Sequence, residues 1–229
     1  MLRTIKLGEA DRIVTLVTEG RGKVRAVAKG VRKTKSRFGA RLEPTSHVAL
    51  LCWEGRELDV INQAEALDSF RTVREDIDRL GRAVTLLEAV DLVVQERDEN
   101  ARLYQMLLGA LRTLAAGDAP LMVPAFLWKL MAAEGFRPVV DRCVSCGADG
   151  PLVAFDLGEG GALCRDCRRG LRISPEALVM LRRILGGDLV AVLAEPASPA
   201  GHEVEHLAAL ALENHVERRL RSLGVLERG

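Results

Sequence analysis

The sequence lacks the features that mark exported and membrane proteins. No apolar run reaches the roughly 18 residues that a membrane-spanning helix needs, and charged residues follow Met1–Lys6 where a leader peptide would have an apolar segment. We therefore expect a cytoplasmic protein with no membrane partner. Aromatic residues make up only 3% of the chain, so any contact with nucleic acid is expected to depend on charge more than on base stacking.

The length and composition fit a folded protein of one large domain or two small ones. Of the 229 residues, 48% are hydrophobic and 28% are charged, a balance typical of globular proteins with a sizeable core. In a reducing cytoplasm the five cysteines are not expected to form a disulfide framework. Their spacing therefore has to reflect another chemistry.

Positive charge is concentrated near the N-terminus, although the formal net charge is only +1. Nine basic residues and no acidic one lie within segment 21–41, namely Arg21, Lys23, Arg25, Lys29, Arg32, Lys33, Lys35, Arg37 and Arg41. Concentrated like charge opposes folding and so favours an anionic partner. Phosphate backbones are the commonest such partner, and Arg and Lys bind them without reading sequence. The alternative is a solvated, partly disordered loop.

Residues 1–78 are predicted to form a small β module. Strand-like segments lie at Ile13–Val17, Lys23–Ala28, His47–Trp53 and Leu58–Ile61. In the second of these, Val24, Ala26 and Ala28 share one face, and Lys23, Arg25 and Lys29 share the other. Four or five short strands with glycine-bearing turns favour a small barrel.

From about Val73 the hydrophobic period changes from two to between three and four, which predicts helices. Helices are expected over 82–97, along Leu103 to Leu114, from Pro124 to Gly135, from Ser174 to Gly186 and from about Glu203 to Leu223, with a connector at Glu195–Gly201. The fold class is therefore α+β. Its helical domain is expected in two parts, residues 79–140 and 173–229.

Four of the five cysteines form two C-x-x-C pairs, Cys143 with Cys146 and Cys164 with Cys167, separated by seventeen residues. Two such pairs supply the tetrahedral sulfur shell that zinc prefers, and four thiolates leave no position for water. The spacing thus predicts one structural Zn²⁺ in a module at 141–172. The alternative is a redox C-x-x-C pair with two unrelated cysteines. Cys52 lies in an apolar strand and is interpreted as a core residue.

Residues 202–206, His-Glu-Val-Glu-His, match the H-E-x-x-H motif of zinc proteases. The motif follows a connector rich in Pro and Gly, carries the charged Glu205 at a free position, and lacks the H-x-x-G-x-x-H continuation. We therefore favour exposed residues near a helix start over a metalloprotease. No catalytic residue and no enzymatic activity are expected.

Three groups of residues are specific enough to suggest a family. They are Leu7–Thr18 with Gly20 and Gly22, Val27–Arg32 with Lys35–Arg37, and Phe155 with Gly160–Cys167. Together they resemble the RecO family of bacterial DNA repair and recombination mediators over nearly the whole chain. The resemblance implies an OB-fold N-terminal domain, a helical domain and, in cysteine-bearing members, an inserted zinc module.

The resemblance also implies functions and partners. These are binding of single- and double-stranded DNA, annealing of complementary strands, and loading of RecA onto strands coated by single-strand-binding protein, with RecR and that protein as partners at the nucleoid. Three arginines of the zinc module, Arg165, Arg168 and Arg169, are expected either to extend the DNA surface or to be ordinary solvated charges. Both alternatives apply also to Arg142 and Arg172. The alternative function is a zinc-stabilised scaffold for protein interactions.

Overall fold

A computed structural model describes residues 1–222 of the chain. The protein forms two compact units, one from Met1 to Gly117 and one that starts at Asp118. Within the described residues, no helix combines the length and the hydropathy that a bilayer crossing requires. The domain boundaries expected at residues 78, 140 and 172 stay predictions.

The first unit begins with a five-stranded sheet, which confirms the predicted β module. Its strands are β1 (Arg3–Leu7), β2 (Asp11–Thr18), β3 (Gly22–Ala28), β4 (His47–Trp53) and β5 (Asp59–Asp68). The strand order is β1-β2-β3-β5-β4, with only β3 and β5 parallel. Since β1 and β4 are the edges of this sheet, closure into a barrel stays a prediction. The strand predicted at Leu58–Ile61 continues to Asp68, and β1 was not located from the sequence.

One face of the sheet packs into an apolar core. The alternation expected in β3 is confirmed, because Ala26 and Ala28 are fully buried, but β3 ends before Lys29. A 3-10 turn at Gly39–Leu42 follows the long β3–β4 connection. Phe38 and Leu42, each 1% exposed, insert from this connection into the same core. Their burial, at roughly 2 kcal/mol for each side chain, anchors a segment that is otherwise polar.

Three helices complete the first unit: α1 (Arg71–Arg74), α2 (Ile77–Val93) and α3 (Ala101–Ala116). The range predicted for α2, 82–97, was wrong at both ends. Asp76 caps α2 by accepting from the amides of Asp78 and Arg79 at 3.0 and 3.1 Å, which allows an early start. After Val93 the chain turns to β3, where the Arg97 amide donates to the Lys23 carbonyl. The four leucines that predicted α3 are all buried.

The second unit combines helices with a small sheet. Its elements are α4 (Met122–Ala133), β6 (Leu152–Asp156), β7 (Gly161–Cys164), β8 (Leu171–Arg172), α5 (Pro175–Gly186), α6 (Leu189–Leu193) and α7 (Pro199–Val216). Helices α4 and α5 both pack on α7. In that contact Trp128 is buried, and its indole N–H donates to the carbonyl of Val204 at 3.1 Å. The sheet, in the order β7-β6-β8, was not predicted.

Serine caps set the starts of two helices in the second unit. The start predicted for α5 is confirmed, since the Ser174 hydroxyl accepts from the Ala177 amide at 3.1 Å. In α7 the Ser198 hydroxyl does the same for Gly201. For this reason α7 begins at Pro199, inside the expected connector, and not at Glu203. It ends at Val216, while the predicted end, Leu223, lies outside the described residues.

Phe38→Ala is expected to lower the free energy of unfolding by about 3–5 kcal/mol, because it leaves a cavity in the core of the β module. Denaturant titration measures this difference. Thr34→Ala, at an exposed position of the same connection, is the matched control and should stay within about 0.5 kcal/mol of the wild type. Equal effects of both substitutions would contradict the anchoring of the connection by Phe38.

Candidate metal centre and nucleic-acid interface

The first cysteine pair lies in a tight turn that is attached to β7. The Gly147 amide donates to the Cys143 carbonyl at 2.9 Å, and Gly147 has a φ of 76°, a conformation that glycine adopts without strain. The Val144 amide donates to the Ala162 carbonyl at 2.9 Å. This turn is therefore held directly against the strand that carries the second pair.

The second pair is positioned by the end of β7. Cys164 is the last residue of that strand, and Cys167 lies in the turn that follows. At Gly161, a Cβ atom would lie 2.8 Å from both the Val139 carbonyl oxygen and the Val144 Cβ. Only glycine fits this contact, so Gly161 allows β7 to pack closely against the segment that carries the first pair.

All four sulfur atoms converge, as the spacing predicted. The Sγ atoms of Cys143, Cys146, Cys164 and Cys167 all lie within 4.8 Å of one another, and those of Cys146 and Cys164 are 3.8 Å apart. Tetrahedral zinc, with Zn–S bonds near 2.3 Å, places its sulfur ligands roughly 3.8 Å apart. Because both pairs join one cluster that can hold a metal ion, the arrangement favours a metal centre over a redox pair with two unrelated cysteines.

The thiols of this cluster differ in acidity. Backbone hydrogen bonds, the largest contribution coming from Cys164, lower the pKa of Cys143 to about 6. Side-chain hydrogen bonds with Cys146 and Cys164 raise the pKa of Cys167 to about 12. One sulfur is thus readily ionised, whereas its neighbours oppose the ionisation of another. A bound cation removes this conflict, because four thiolates then surround a positive charge.

The residues of the H-E-x-x-H motif do not gather into a metal-binding cluster, and Glu203 has a structural contact instead. Both histidines, His202 and His206, are exposed. The Glu203 carboxylate accepts from the Ser174 amide at 2.7 Å and from the Ser174 hydroxyl at 2.6 Å. Within residues 1–222, the four cysteines are the only group of three or more side chains gathered closely enough to hold a metal. Glu203 therefore supports the start of α5.

The basic residues of β3 and its preceding turn have carboxylate partners. Arg21 pairs with Glu54 at 3.2 Å and Asp59 at 3.5 Å, Lys23 with Asp91 at 3.5 Å, and Arg25 with Glu96 at 3.6 Å. These acids come from the β4–β5 turn, from β5, from α2 and from the segment after α2. Sequence reasoning missed these ion pairs, because the partner acids lie 33 or more residues from the cations along the chain.

The basic residues of segment 29–41, which follows β3 and extends into the 3-10 turn, differ from those of β3 in lacking carboxylate partners within the described part of the chain. We call this segment the basic loop. Six predicted DNA-binding residues lie in it, Lys29, Arg32, Lys33, Lys35, Arg37 and Arg41. All six are exposed, and none forms an ion pair with a carboxylate among residues 1–222. Uncompensated positive charge in the first unit is therefore concentrated here.

Hydrogen bonds hold the backbone of the basic loop in place. The Gly30 amide donates to the Asp11 carboxylate at 2.7 Å, and the Arg32 amide donates to the Ala10 carbonyl at 2.9 Å. The Arg37 guanidinium lies over the Phe38 ring, 4.8 Å from its centroid. These contacts disfavour disorder of the loop backbone, which was part of the alternative of a solvated, partly disordered loop.

The arginines around the cysteine cluster fall into two groups. Arg169 pairs with Asp156 at 2.9 Å and also with Glu159, so its charge is compensated. Arg165 and Arg168, with Arg142 and Arg172, are exposed and have no carboxylate partner in the described part of the chain. Of the three named first as extra DNA contacts, Arg165 and Arg168 remain available for an anion.

Comparison with known proteins gives matches over almost the entire chain. The family model described as "Recombination protein O N terminal" matches residues 1–70, and "Recombination protein O C terminal" matches residues 74–224. A protein named DNA repair protein RecO from Nocardioides sp. is 44% identical and aligns with 100% of this chain and 97% of its own length. A protein of the same name from Frankia casuarinae is 42% identical, with 100% and 96% coverage.

One zinc ion per chain is the expected result of elemental analysis on reduced protein purified without chelator. Cys143→Ser and Cys164→Ser should each release the metal and lower the melting temperature, because metal binding energy is part of the folding energy. Cys52→Ser, outside the cluster, should keep the metal. Acid should weaken metal binding, since protons compete for the thiolates. Full metal content in Cys164→Ser would contradict this assignment.

Glu203→Ala should lower the free energy of unfolding by roughly 1–3 kcal/mol, because it leaves the Ser174 amide and hydroxyl without their acceptor. His206→Ala, at an exposed position of the same motif, should change it by less than about 0.5 kcal/mol. Thermal and denaturant unfolding measure both effects. Peptide hydrolysis by the wild type that disappears in His206→Ala would instead establish a protease.

Proposed function

The chain belongs to the RecO family of DNA repair proteins, and we propose that within this role it binds single- and double-stranded DNA and anneals complementary strands. The observation that carries the proposal is the basic loop, which presents six exposed cations without carboxylate partners on a backbone held by hydrogen bonds. Such a surface suits a polyanion whose sequence is not read.

Annealing requires two like-charged strands to approach each other. Cations of the basic loop reduce that repulsion by neutralising phosphates, and each contact releases a condensed counterion. Base pairing between the strands then supplies the sequence selectivity. The protein therefore forms and breaks no covalent bond, and we propose that it is not an enzyme.

The ion pairs of β3 are expected to make its basic residues weaker DNA ligands than those of the basic loop. A phosphate that binds Arg21, Lys23 or Arg25 has to compete with the carboxylates already beside them. Phosphate contacts at Lys33, Lys35 or Arg37 meet no such competition. We therefore assign most of the affinity to the basic loop, and a smaller share to the three paired cations.

Zn²⁺ is the metal we assign to the cysteine cluster. Four sulfur donors at these separations fit zinc, and its chemistry there is structural, because the cysteines fill the tetrahedral shell. Cys143 and Cys146 bind from the turn before β6, and Cys164 and Cys167 from the end of β7. The metal joins these two segments and stabilises the fold of the module.

Partners and location rest on the family alone. We propose that the protein acts at the nucleoid in the cytoplasm with RecR and single-strand-binding protein, and that it assists the loading of RecA. A similarity of sequence supports these partners without indicating the contact surfaces. Co-elution of the purified chain with RecR or with single-strand-binding protein tests this part of the proposal.

Replacing Lys33, Lys35 and Arg37 together by Ala should weaken binding to all DNA sequences about equally. Each lost phosphate contact reduces the slope of log affinity against log salt by roughly 0.7 on single strands, so the triple variant should lose about two units of slope. Fluorescence anisotropy with labelled oligonucleotides at several salt concentrations measures both quantities. Annealing should slow in parallel, because it uses the same surface.

The matched control for the triple variant is Arg25→Ala, which removes a cation that is already paired with Glu96. We expect a clearly smaller loss of affinity for this control. A folded triple variant with unchanged affinity and salt slope would refute the assignment to the basic loop. Arg165 and Arg168 would then become the leading DNA contacts, and their double Ala variant would be the next measurement.

A further inference from the structure

The two tryptophans of this chain have opposite surroundings. Trp128 is buried and uses its indole N–H in a hydrogen bond. Trp53, at the end of β4, is 68% exposed, and its indole N–H has no partner among residues 1–222. A large aromatic side chain that is exposed in this way has little to contribute to the stability of the fold, which favours a role in contact with a ligand.

Trp53 continues an exposed face along β4. Val48, Leu50 and Cys52 pack against the core of the β module. Leu51 and Trp53, which alternate with Leu50 and Cys52, point away from that core. Leu51 is itself 54% exposed. The register places Leu51 beside Gln63 and Trp53 beside Val60 of β5. The outer face of β4 therefore presents a mostly apolar strip at the edge of the sheet.

Cations of the basic loop lie beside this strip. Arg37 and Arg41 line an open groove of about 650 Å³, together with Leu51, Asn62 and Gln63. Glu65 also lines the groove, so its cations outnumber its acids by two to one. A groove that combines positive charge with amide and apolar groups suits a strand that carries both phosphates and bases.

We propose that single-stranded DNA lies along the outer face of β4, with phosphates at Arg37 and Arg41 and one base stacked on Trp53. This rests on the DNA binding proposed above and adds a source of selectivity. Stacking on an aromatic side chain requires an unstacked base, which a single strand offers and an intact duplex does not. Trp53 thus favours single strands over duplex, while the basic loop binds both.

The test compares Trp53→Ala, Trp53→Leu and Trp53→Phe with the wild type, on labelled single-stranded and duplex oligonucleotides. We expect roughly a tenfold loss of single-strand affinity in the Ala and Leu variants, because base stacking is lost, and little change in the Phe variant. Duplex affinity and the salt slope should stay constant, since no phosphate contact is removed. Unfolding curves check that all three variants are folded.

A second readout locates the contact. Irradiation of a bound oligonucleotide that carries 5-iodouracil should cross-link to the peptide that contains Trp53, and this cross-link should disappear in Trp53→Ala.

The possible outcomes separate this proposal from the proposed function. Absence of DNA binding by the wild type would overturn both. Wild-type binding combined with an unchanged single-strand affinity of Trp53→Ala would overturn the stacking proposal alone. Equal binding by the Leu and Phe variants would also overturn it, because the contact would then be apolar without stacking. Trp53 variants that bind DNA normally but fail to bind an acidic peptide of single-strand-binding protein would assign this face to a protein partner instead.

Discussion

Ion pairing across the first unit is the constraint on which the distribution of its exposed positive charge depends. The acid-free run of the sequence is continuous, but in three dimensions carboxylates from β5, α2 and the β4–β5 turn reach its first part. Lys23 is largely buried against Asp91, with 15% and 17% of the two side chains exposed, so this pair fastens α2 to the sheet. Within the first unit, the densest positive charge without carboxylate partners among the described residues therefore lies in the basic loop, which directly follows β3.

The basic loop can be both charged and ordered because its ends are apolar or hydrogen-bonded. Phe38 and Leu42 are buried in the β core, and Asp11 accepts the Gly30 amide near the other end. Mutual repulsion of the cations is thereby opposed by burial and by backbone hydrogen bonds. This arrangement exposes the six cations. The guanidinium groups of Arg32 and Arg41 also donate to backbone carbonyls, those of Gly8 and Glu9 and those of Arg37 and Phe38, respectively.

The segment that carries the cysteines is organised differently, because its four sulfur atoms meet in one cluster. Its three strands are short, and β8 has only two residues. Backbone bonds between Val144 and Ala162 and the close packing at Gly161 bring the two C-x-x-C turns together. The resulting cluster can hold a metal ion, and the segment is too small to bury a large core of its own.

Local signals in the sequence were sufficient for several features. The strand-like run of β2, the alternation in β3, the four leucines of α3, the Ser-Pro start of α5 and the spacing of the cysteines each depend on residues that are close in the chain. Predicting them therefore needed no tertiary information. The early start of α7 could have been found in the same way, because Ser198-Pro199 repeats the signal used at Ser174-Pro175.

Features that combine segments distant in the chain could not be predicted from the sequence. The tertiary structure alone decided four features: the carboxylate partners of Arg21, Lys23 and Arg25, the hydrogen bonds between Ser174 and Glu203, the end of α2 opposite β3, and the exposure of Trp53. Ion pairs, hydrogen bonds and burial depend on distances in space, and sequence separation does not determine those distances.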